Sequence, residues 1–193
     1  MVLRHGRTAW NVAGRFQGRD HPDDPPLDDV GLVQAAQAGR SLGGIGATLL
    51  LSSTLRRARQ TAAAVAATTG LTVQPDPRLA EQAFGRWEGL TRDEVVQQYP
   101  AEFEVWRAGG EPNREGGETR SETGRRAAAA VADLPAGATA ILVTHGAAAA
   151  ALVANLLGLG DQSRRIHGLG NCHTSSVVET TGGWSLLSHD LPT

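Results

Sequence analysis

The segment Ala140-Ile141-Leu142-Val143-Thr144-His145-Gly146 begins with an apolar run and ends in polar residues. A predicted helix follows the run over residues 146–157. A short apolar run without alternation is typical of a strand buried on both faces of a sheet. The same order occurs at residues 49–51, where an apolar run precedes Ser52-Ser53 and a predicted helix at 54–69. Strands that alternate with helices predict an α/β fold with a mostly parallel central sheet between two helical layers.

The remaining elements extend this α/β pattern along the chain. Thr54 is predicted to cap the helix at 54–69, and Gly70 is predicted to end it. The other predicted helices cover residues 35–42, 91–98, 101–107, 118–134 and 146–157, and the other strands cover 2–3, 71–74, and a terminal hairpin at 176–179 and 184–187. The sequence contains no internal repeat, and we expect residues 1–193 to form a single domain.

A His-Gly pair follows two of the predicted strands, at His5-Gly6 and at His145-Gly146. In sheets of this class, ligands bind outside the carboxyl ends of the strands. We therefore expect residues 4–6, 52–57 and 144–146 to share one crevice. A single histidine after a strand is more often a hydrogen-bonded core residue than a catalyst, but two at matching positions favour catalysis. The glycine after each histidine is expected to let the backbone approach a ligand closely.

Several arginines lie near the start of the helix that follows the strand at 49–51, at Arg56, Arg57 and Arg59. Such a run usually forms a solvated basic face. At the mouth of a crevice, however, a guanidinium fork beside a helix N-terminus suits a phosphate group. Nearby arginines also disfavour protonation of an imidazole, and neutral histidine is the nucleophilic form. Cleavage of a phosphate ester further needs an acid for the leaving group, for which Glu81 and Glu88 are both candidates.

Composition excludes several classes of function. All 18 basic side chains are arginine, so lysine-based Schiff-base and P-loop chemistry are absent. The formal net charge of −2 gives no indication of a nucleic-acid partner or of a membrane partner. The spacing of the six histidines and of Cys172 fits no metal motif, so neither a metal nor a cofactor is predicted. We expect a cytoplasmic protein.

Five ordered blocks of the sequence resemble the histidine phosphatase superfamily, the phosphoglycerate-mutase-like proteins. Residues 4–11 resemble its R-H-G-x-T-x-x-N signature, and residues 14–18 resemble the loop after the nucleophile. Residues 53–62 resemble S-x-L-x-R-A-x-Q-T-A, residues 81–89 resemble E-x-x-F-G-x-W-E-G, and residues 144–146 resemble the late S-H-G block. The resemblance covers nearly the whole chain and implies the α/β/α fold of that family. The loop at 19–26 is longer than is usual in the family.

The resemblance also implies a role for each matching residue. His5 would attack phosphorus, and the phosphoryl oxygens would be held by Arg4, Arg57 and His145. Glu81, rather than Glu88, would protonate the leaving group and later activate water. The substrate-binding residues are expected to be Asn11, Gln17, Gly18 and Gly146. Apart from the resemblance, we expect Trp106 and residues 109–117 to form the lid side of the pocket, and Arg114 in that segment either binds an anionic substrate tail or is a solvated loop arginine.

Three functions remain open at this point. The first is a metal-independent phosphomonoesterase that acts on a small phosphorylated metabolite, either a sugar phosphate or a phosphoglycerate-like ester, through a phosphohistidine. Residues 168–171 are similar to those of glucosyl-3-phosphoglycerate phosphatases. The second is a cofactor-dependent phosphoglycerate mutase, although mutases of the family carry a longer insertion than residues 91–118. The third is a non-catalytic protein that binds a phosphorylated ligand. A homodimer and a monomer both remain open.

Overall fold

A computed structural model describes residues 1–160 and 162–193, and within these residues six strands form one sheet. The strands are β1 (Val2–Arg4), β2 (Leu49–Ser52), β3 (Val73–Pro75), β4 (Ala140–Thr144), β5 (His173–Thr180) and β6 (Gly183–Pro192). Their order in the sheet is β3-β2-β4-β1-β5-β6. The parallel pairs are β3 with β2, β2 with β4, and β4 with β1, whereas β5 pairs antiparallel with both β1 and β6. The predicted mostly parallel sheet is confirmed.

Helices cover both faces of the sheet, which confirms the three-layer α/β/α arrangement. They are α1 (Ala9–Val12), α2 (Asp29–Leu42), α3 (Arg56–Thr69), α4 (Arg92–Gln98), α5 (Pro100–Arg107), α6 (Arg120–Ala132) and α7 (Gly146–Leu156). Side chains of a strand alternate between the two faces. Leu50 and Ile141 accordingly pack in the core with α2 and α3, whereas Leu51 and Leu142 pack in the core with α6 and α7. Burying one such side chain contributes roughly 1.5–3 kcal/mol.

A third, smaller apolar cluster is built mainly from aromatic side chains. Trp87, Val95 and Phe103 form its buried part, and Phe16 and Trp106 pack against them. Trp87 belongs to a short 3₁₀ turn at Gly85–Trp87, and the other two buried residues belong to α4 and α5. This cluster therefore fixes the segment that follows the predicted acid, Glu81.

Most predicted elements are present, but several ends differ. Helix α3 begins at Arg56 with Leu55 as its N-cap residue, so Thr54 is not the predicted cap. Gly70 does end that helix, with a φ of 73° in the left-handed region that favours glycine. Thr119 caps α6 and forms a capping box with Glu122, which starts this helix later than residue 118.

No helix in the described part of the chain combines the length and the apolar character needed to cross a membrane.

The terminal hairpin is longer than predicted, because β5 and β6 extend well beyond residues 176–179 and 184–187. Its first strand pairs with β1 through Ser175 and Thr174, which attaches the hairpin to the strand that directly precedes His5.

Candidate active site

A cavity of about 340 Å³ lies at the carboxyl ends of the parallel strands. His5 follows β1, Arg57 lies in the first turn of α3 after β2, and Gly146 begins α7 after β4; all three line this cavity. The cavity therefore lies where the carboxyl ends of three parallel strands meet, as the topology predicts. Three ionisable side chains of the lining are deeply buried: His5 and Arg57, each 2% exposed, and Glu81, which is 8% exposed.

The hydrogen bonds of His5 define which of its ring nitrogens can react. Nδ1 lies 2.7 Å from the carbonyl oxygen of Gly6, which can only accept, so Nδ1 donates and Nε2 keeps its lone pair. Burial holds the pKa of His5 well below its usual value, and the charges of Arg57 and Arg4 lower it further. The ring is therefore neutral at physiological pH, and Nε2 is available as a nucleophile.

Arg57 is held on three sides by groups from different segments. Its Nε donates to Nδ1 of His145 at 3.2 Å, and its NH2 donates to the carbonyl oxygen of Gly18 at 2.7 Å. Its NH1 forms an ion pair with Asp24 at 3.1 Å. Such anchoring aims the remaining N–H groups of the guanidinium in a fixed direction, which suits recognition of a phosphoryl group.

Arg4 has one anchor and one donor without a partner. NH1 donates to the carbonyl oxygen of Leu169 at 2.5 Å, whereas the buried Nε has no partner among the described residues. Arg4 lies beside Gly146 and lines the cavity. A buried donor without a partner has a free-energy cost that an anion in the cavity would remove.

Glu81 lies at the N-terminus of α7. Its Oε1 accepts from the backbone N–H of Ala148 at 2.8 Å and of Gln82 at 2.9 Å. Its Oε2 accepts only one weaker bond, from the backbone N–H of Ala147 at 3.3 Å. Oε2 accepts fewer and longer hydrogen bonds than Oε1, so Oε2 is the oxygen suited to exchange a proton with a substrate.

The side-chain oxygens of Asn11 and Gln17 both accept hydrogen bonds from Thr8. Oδ1 of Asn11 accepts from the backbone N–H of Thr8 at 3.0 Å and from Nδ2 of Asn171 at 3.1 Å. Oε1 of Gln17 accepts from the hydroxyl of Thr8 at 3.0 Å. Both amides line the cavity, so their NH2 groups remain available as donors for an anionic ligand.

Comparison with known proteins gives the family. The family model described as the histidine phosphatase superfamily (branch 1) matches residues 1–191. The chain belongs to the histidine phosphatase superfamily. A probable phosphoglycerate mutase GpmB of Yersinia pestis is 38% identical, with 95% of this chain and 86% of that protein covered.

Solved structures of phosphatases share the whole fold of this chain. A mycobacterial glucosyl-3-phosphoglycerate phosphatase in complex with VO3 has a TM-score of 0.89 and 35% identity, with 98% of this chain and 97% of that chain covered. A phosphoserine phosphatase from Entamoeba histolytica, in complex with 3-phosphoglyceric acid, has a TM-score of 0.85 and 27% identity, with 98% and 94% covered.

The ring centre of His145 lies 5.0 Å from that of His5, and its role in holding a phosphoryl oxygen stays a prediction. The ring is fully buried and is not among the residues that line the cavity. Nδ1 accepts from Arg57, so Nε2 carries the proton and donates to the hydroxyl of Ser53 at 2.7 Å. Both nitrogens are therefore occupied by neighbouring side chains, and one of them holds Arg57.

Arg114, predicted as a substrate-binding candidate, is not among the residues that line the cavity. Its side chain is 5% exposed, its guanidinium lies 5.4 Å and 5.0 Å from the ring centres of Phe84 and Trp87, and its NH2 donates to the carbonyl oxygen of Glu118. Arg114 thus fixes the segment 109–117 to the aromatic cluster. Of the predicted lid, Trp106 and Glu111 do line the cavity.

Two predicted glycine roles need correction. A Cβ on Gly6 would lie 2.5 Å from the carbonyl oxygen of Gly31, so Gly6 allows close approach of α2 and not of a ligand. Gly18 does not line the cavity; its carbonyl oxygen holds Arg57. Gly18 has a φ of +59°, and a Cβ there would overlap the carboxylate of Glu88.

The structure separates the two candidate acids that the residues alone left open. Glu88 is not among the cavity residues, and its carboxylate accepts from the backbone N–H groups of Arg19, Asp20 and Phe84. It therefore fixes the loop that begins at Gly18, whereas Glu81 lines the cavity.

Sequence reasoning missed several residues of the site. Asp24, in the long loop at 19–26, pairs with Arg57, and Asn171 contacts both Asn11 and the carbonyl oxygen of His5. Neither has a local signal, because each acts through a partner far away in sequence. Three arginines of the outer cavity were missed as well: Arg15, Arg120 and Arg164.

Proposed function

We propose that this chain is a metal-independent phosphomonoesterase that acts on a small phosphorylated metabolite through a phosphohistidine at His5. The observation that carries the proposal is a neutral His5, whose unprotonated Nε2 shares one cavity with Arg4, Arg57 and Glu81. The membership of the family and its phosphatase neighbours support the same chemistry.

The first step transfers the phosphoryl group to the enzyme. Nε2 of His5 forms a bond to phosphorus as the bond from phosphorus to the ester oxygen breaks. Protonated Glu81 gives its proton to the leaving oxygen, so an alcohol departs in place of an alkoxide. Arg4 and Arg57 stabilise the negative charge of the phosphoryl oxygens during the transfer, and the NH2 groups of Asn11 and Gln17 add further donors.

The second step releases inorganic phosphate. Glu81, now a carboxylate, takes a proton from a water molecule whose oxygen attacks phosphorus. The bond from phosphorus to Nε2 breaks, and His5 returns to its neutral state while Glu81 is protonated again. His145 and Asp24 act in both steps by holding Arg57.

The first prediction concerns metal ions. The guanidinium groups supply the positive charge, so hydrolysis of p-nitrophenyl phosphate should proceed at an unchanged rate after dialysis against EDTA. Among the described residues, no group of three or more His, Cys, Asp or Glu side chains could hold a metal ion. The measurement is phosphate release with and without added Mg²⁺, Mn²⁺ or Zn²⁺. A rate that falls in EDTA and returns with one of these ions would contradict the mechanism.

The substrate belongs to one of two classes, a sugar phosphate or a phosphoglycerate-like ester. Similarity to a glucosyl-3-phosphoglycerate phosphatase, at 35% identity, supports the second class, the phosphoglycerate-like esters. Glucosyl-3-phosphoglycerate is therefore the first compound to test.

A phosphoglycerate mutase is the alternative function, favoured by the 38% identity to a probable mutase. Phosphorus NMR of the reaction with 3-phosphoglycerate and a small amount of 2,3-bisphosphoglycerate, which phosphorylates the histidine of a cofactor-dependent mutase, separates them: inorganic phosphate indicates the phosphatase, and 2-phosphoglycerate indicates the mutase. A non-catalytic binding protein would give neither product.

A second prediction concerns Asn171, which holds Asn11 in orientation. Asn171→Ala removes the donor to Oδ1 of Asn11 and a donor to the carbonyl oxygen of His5. At about 0.5–1.5 kcal/mol for each lost hydrogen bond, we expect kcat on p-nitrophenyl phosphate to fall about 5–10²-fold. Asn113→Ala, on an exposed loop residue, is the matched control. Equal rates for both variants would exclude a positioning role for Asn171.

A further inference from the structure

Arg126, in α6, does not line the active-site cavity, yet it is hydrogen-bonded to the segment that carries the acid. All five N–H groups of its guanidinium have a partner. NH1 donates to the carbonyl oxygens of Arg78 and Ala80, at 2.7 Å and 3.1 Å, and NH2 donates to that of Glu81 at 3.2 Å. The two remaining donors, on Nε and NH2, bind the carboxylate of Glu118 at 3.0 Å and 2.9 Å.

Glu118 holds the same segment on the other side of Glu81. Its Oε2 accepts from the backbone N–H of Ala83 at 3.1 Å, and its carbonyl oxygen accepts from Nε2 of Gln82 at 2.7 Å. The ion pair of Arg126 with Glu118, the Arg126–Glu118 clamp, therefore contacts the chain both before and after the acid. The two side chains are only 19% and 16% exposed, so water and salt screen this ion pair less than one at the surface.

The segment that carries Glu81 needs such contacts, because no regular element fixes it. Within the described part of the chain, residues 80–84 lie between the 3₁₀ turns at Pro77–Leu79 and Gly85–Trp87 and belong to no helix or strand. No ladder of backbone hydrogen bonds then sets the position of the Glu81 main chain. A displacement of about 1 Å at a reacting group can cost about 10²-fold in rate, so the position of this main chain matters for proton transfer.

We propose that the Arg126–Glu118 clamp positions Glu81 for proton transfer to the leaving group, which makes Arg126 a positioning residue of the first chemical step. This inference rests on the proposed phosphatase function. An arginine suits the role because its planar guanidinium offers five donors, which here serve three carbonyl oxygens and one carboxylate together. A lysine has three donors on a single nitrogen and cannot make all of these contacts.

The test compares kcat/KM for an aryl ester and an alkyl ester, p-nitrophenyl phosphate and the faster of glycerol 3-phosphate and 3-phosphoglycerate. With Arg126→Met, we expect kcat/KM to fall about 10–10²-fold for the alkyl ester, whose alkoxide needs the proton, and to change little for the aryl ester. Arg126→Lys should give an intermediate loss. Arg125→Met changes the exposed neighbouring arginine of the same helix and should leave both values unchanged.

A double variant distinguishes positioning of Glu81 from a general structural role. Glu81→Gln has no proton to give, so adding Arg126→Met to it should lower kcat/KM for the alkyl ester no further. A structural role predicts instead that the two losses multiply. Multiplied losses, or equal losses on both esters in Arg126→Met alone, would overturn the inference.

Glu118→Gln keeps the inference testable if loss of the guanidinium disturbs folding. The glutamine oxygen can still accept from the N–H of Ala83, but the ion pair with Arg126 is lost. We expect the same selective loss on the alkyl ester, at a smaller magnitude than in Arg126→Met. Where Arg126→Met does not fold, an unchanged ratio of the two kcat/KM values in Glu118→Gln overturns the inference.

The wild type distinguishes failure of this inference from failure of the proposed function. If it hydrolyses both esters and Arg126→Met keeps the wild-type ratio, the role of the clamp alone is wrong. Hydrolysis of the aryl ester alone would mean that no acid serves the leaving group, and the clamp would then have no acid to position. If the wild type hydrolyses neither ester, the phosphatase function is wrong as well.

Discussion

His5→Ala is expected to abolish turnover, with a loss on the order of 10⁵–10⁶-fold in kcat, the scale found when a covalent nucleophile is removed. The neighbouring histidine is not expected to replace Nε2, because both nitrogens of His145 are occupied by hydrogen bonds to Arg57 and Ser53. The measurement is phosphate release from p-nitrophenyl phosphate. Rapid quenching of the wild type during turnover should also trap an acid-labile, base-stable phosphate on His5.

The matched control changes a histidine that lies outside the cavity. His167→Ala alters an exposed ring and should leave both the rate and the label unchanged. His145→Ala removes an acceptor of Arg57 but keeps the nucleophile, so turnover should fall severely while the label still forms on His5. Label on His145 or on Cys172 in the wild type would contradict the assignment. Burial raises the pKa of the Cys172 thiol to about 12, which keeps this side chain in the unreactive thiol form.

The parts of the site that follow strand ends could be predicted from the sequence. His5 follows β1 and Arg57 follows β2, and parallel pairing of these strands with β4 places their carboxyl ends together. Hydrophobic runs reveal such strands, so the crevice follows from topology. Glu81 could not be chosen over Glu88 in this way, because no strand precedes either residue directly; the family resemblance made that choice.

The parts that depend on long-range side-chain contacts could not be predicted from residue patterns. His145 matches a family block, but Ser53 and Arg57 occupy its two nitrogens. Arg114 was expected either to bind an anionic substrate tail or to be solvated in its loop, yet it is buried and packs on aromatic rings. A charged residue in a loop has no sequence signal for burial, since burial depends on which distant rings fold over it.

Glu81→Gln should slow esters with poor leaving groups most strongly. A glutamine keeps the shape of the side chain but cannot give a proton to a departing alkoxide, and that proton can be worth about 10²–10⁴-fold in rate. A nitrophenolate needs little protonation, so the first step with p-nitrophenyl phosphate should be nearly normal. The second step still needs water activated by the carboxylate. The variant should therefore accumulate phosphohistidine with the aryl ester and form very little of it with glycerol 3-phosphate, as measured by quenched labelling.

The control for Glu81→Gln is Glu88→Gln, which changes a carboxylate seven positions later in the same block. Glu88 accepts backbone bonds from Arg19, Asp20 and Phe84 and does not line the cavity. Glu88→Gln should therefore affect all esters equally, through the loop and through stability, and should not accumulate phosphohistidine. If Glu88→Gln shows the leaving-group dependence and Glu81→Gln does not, the acid is Glu88, while the role of His5 is unaffected. If neither variant shows it, the leaving group takes its proton from solvent, and hydrolysis of alkyl esters should then fall steeply as pH rises.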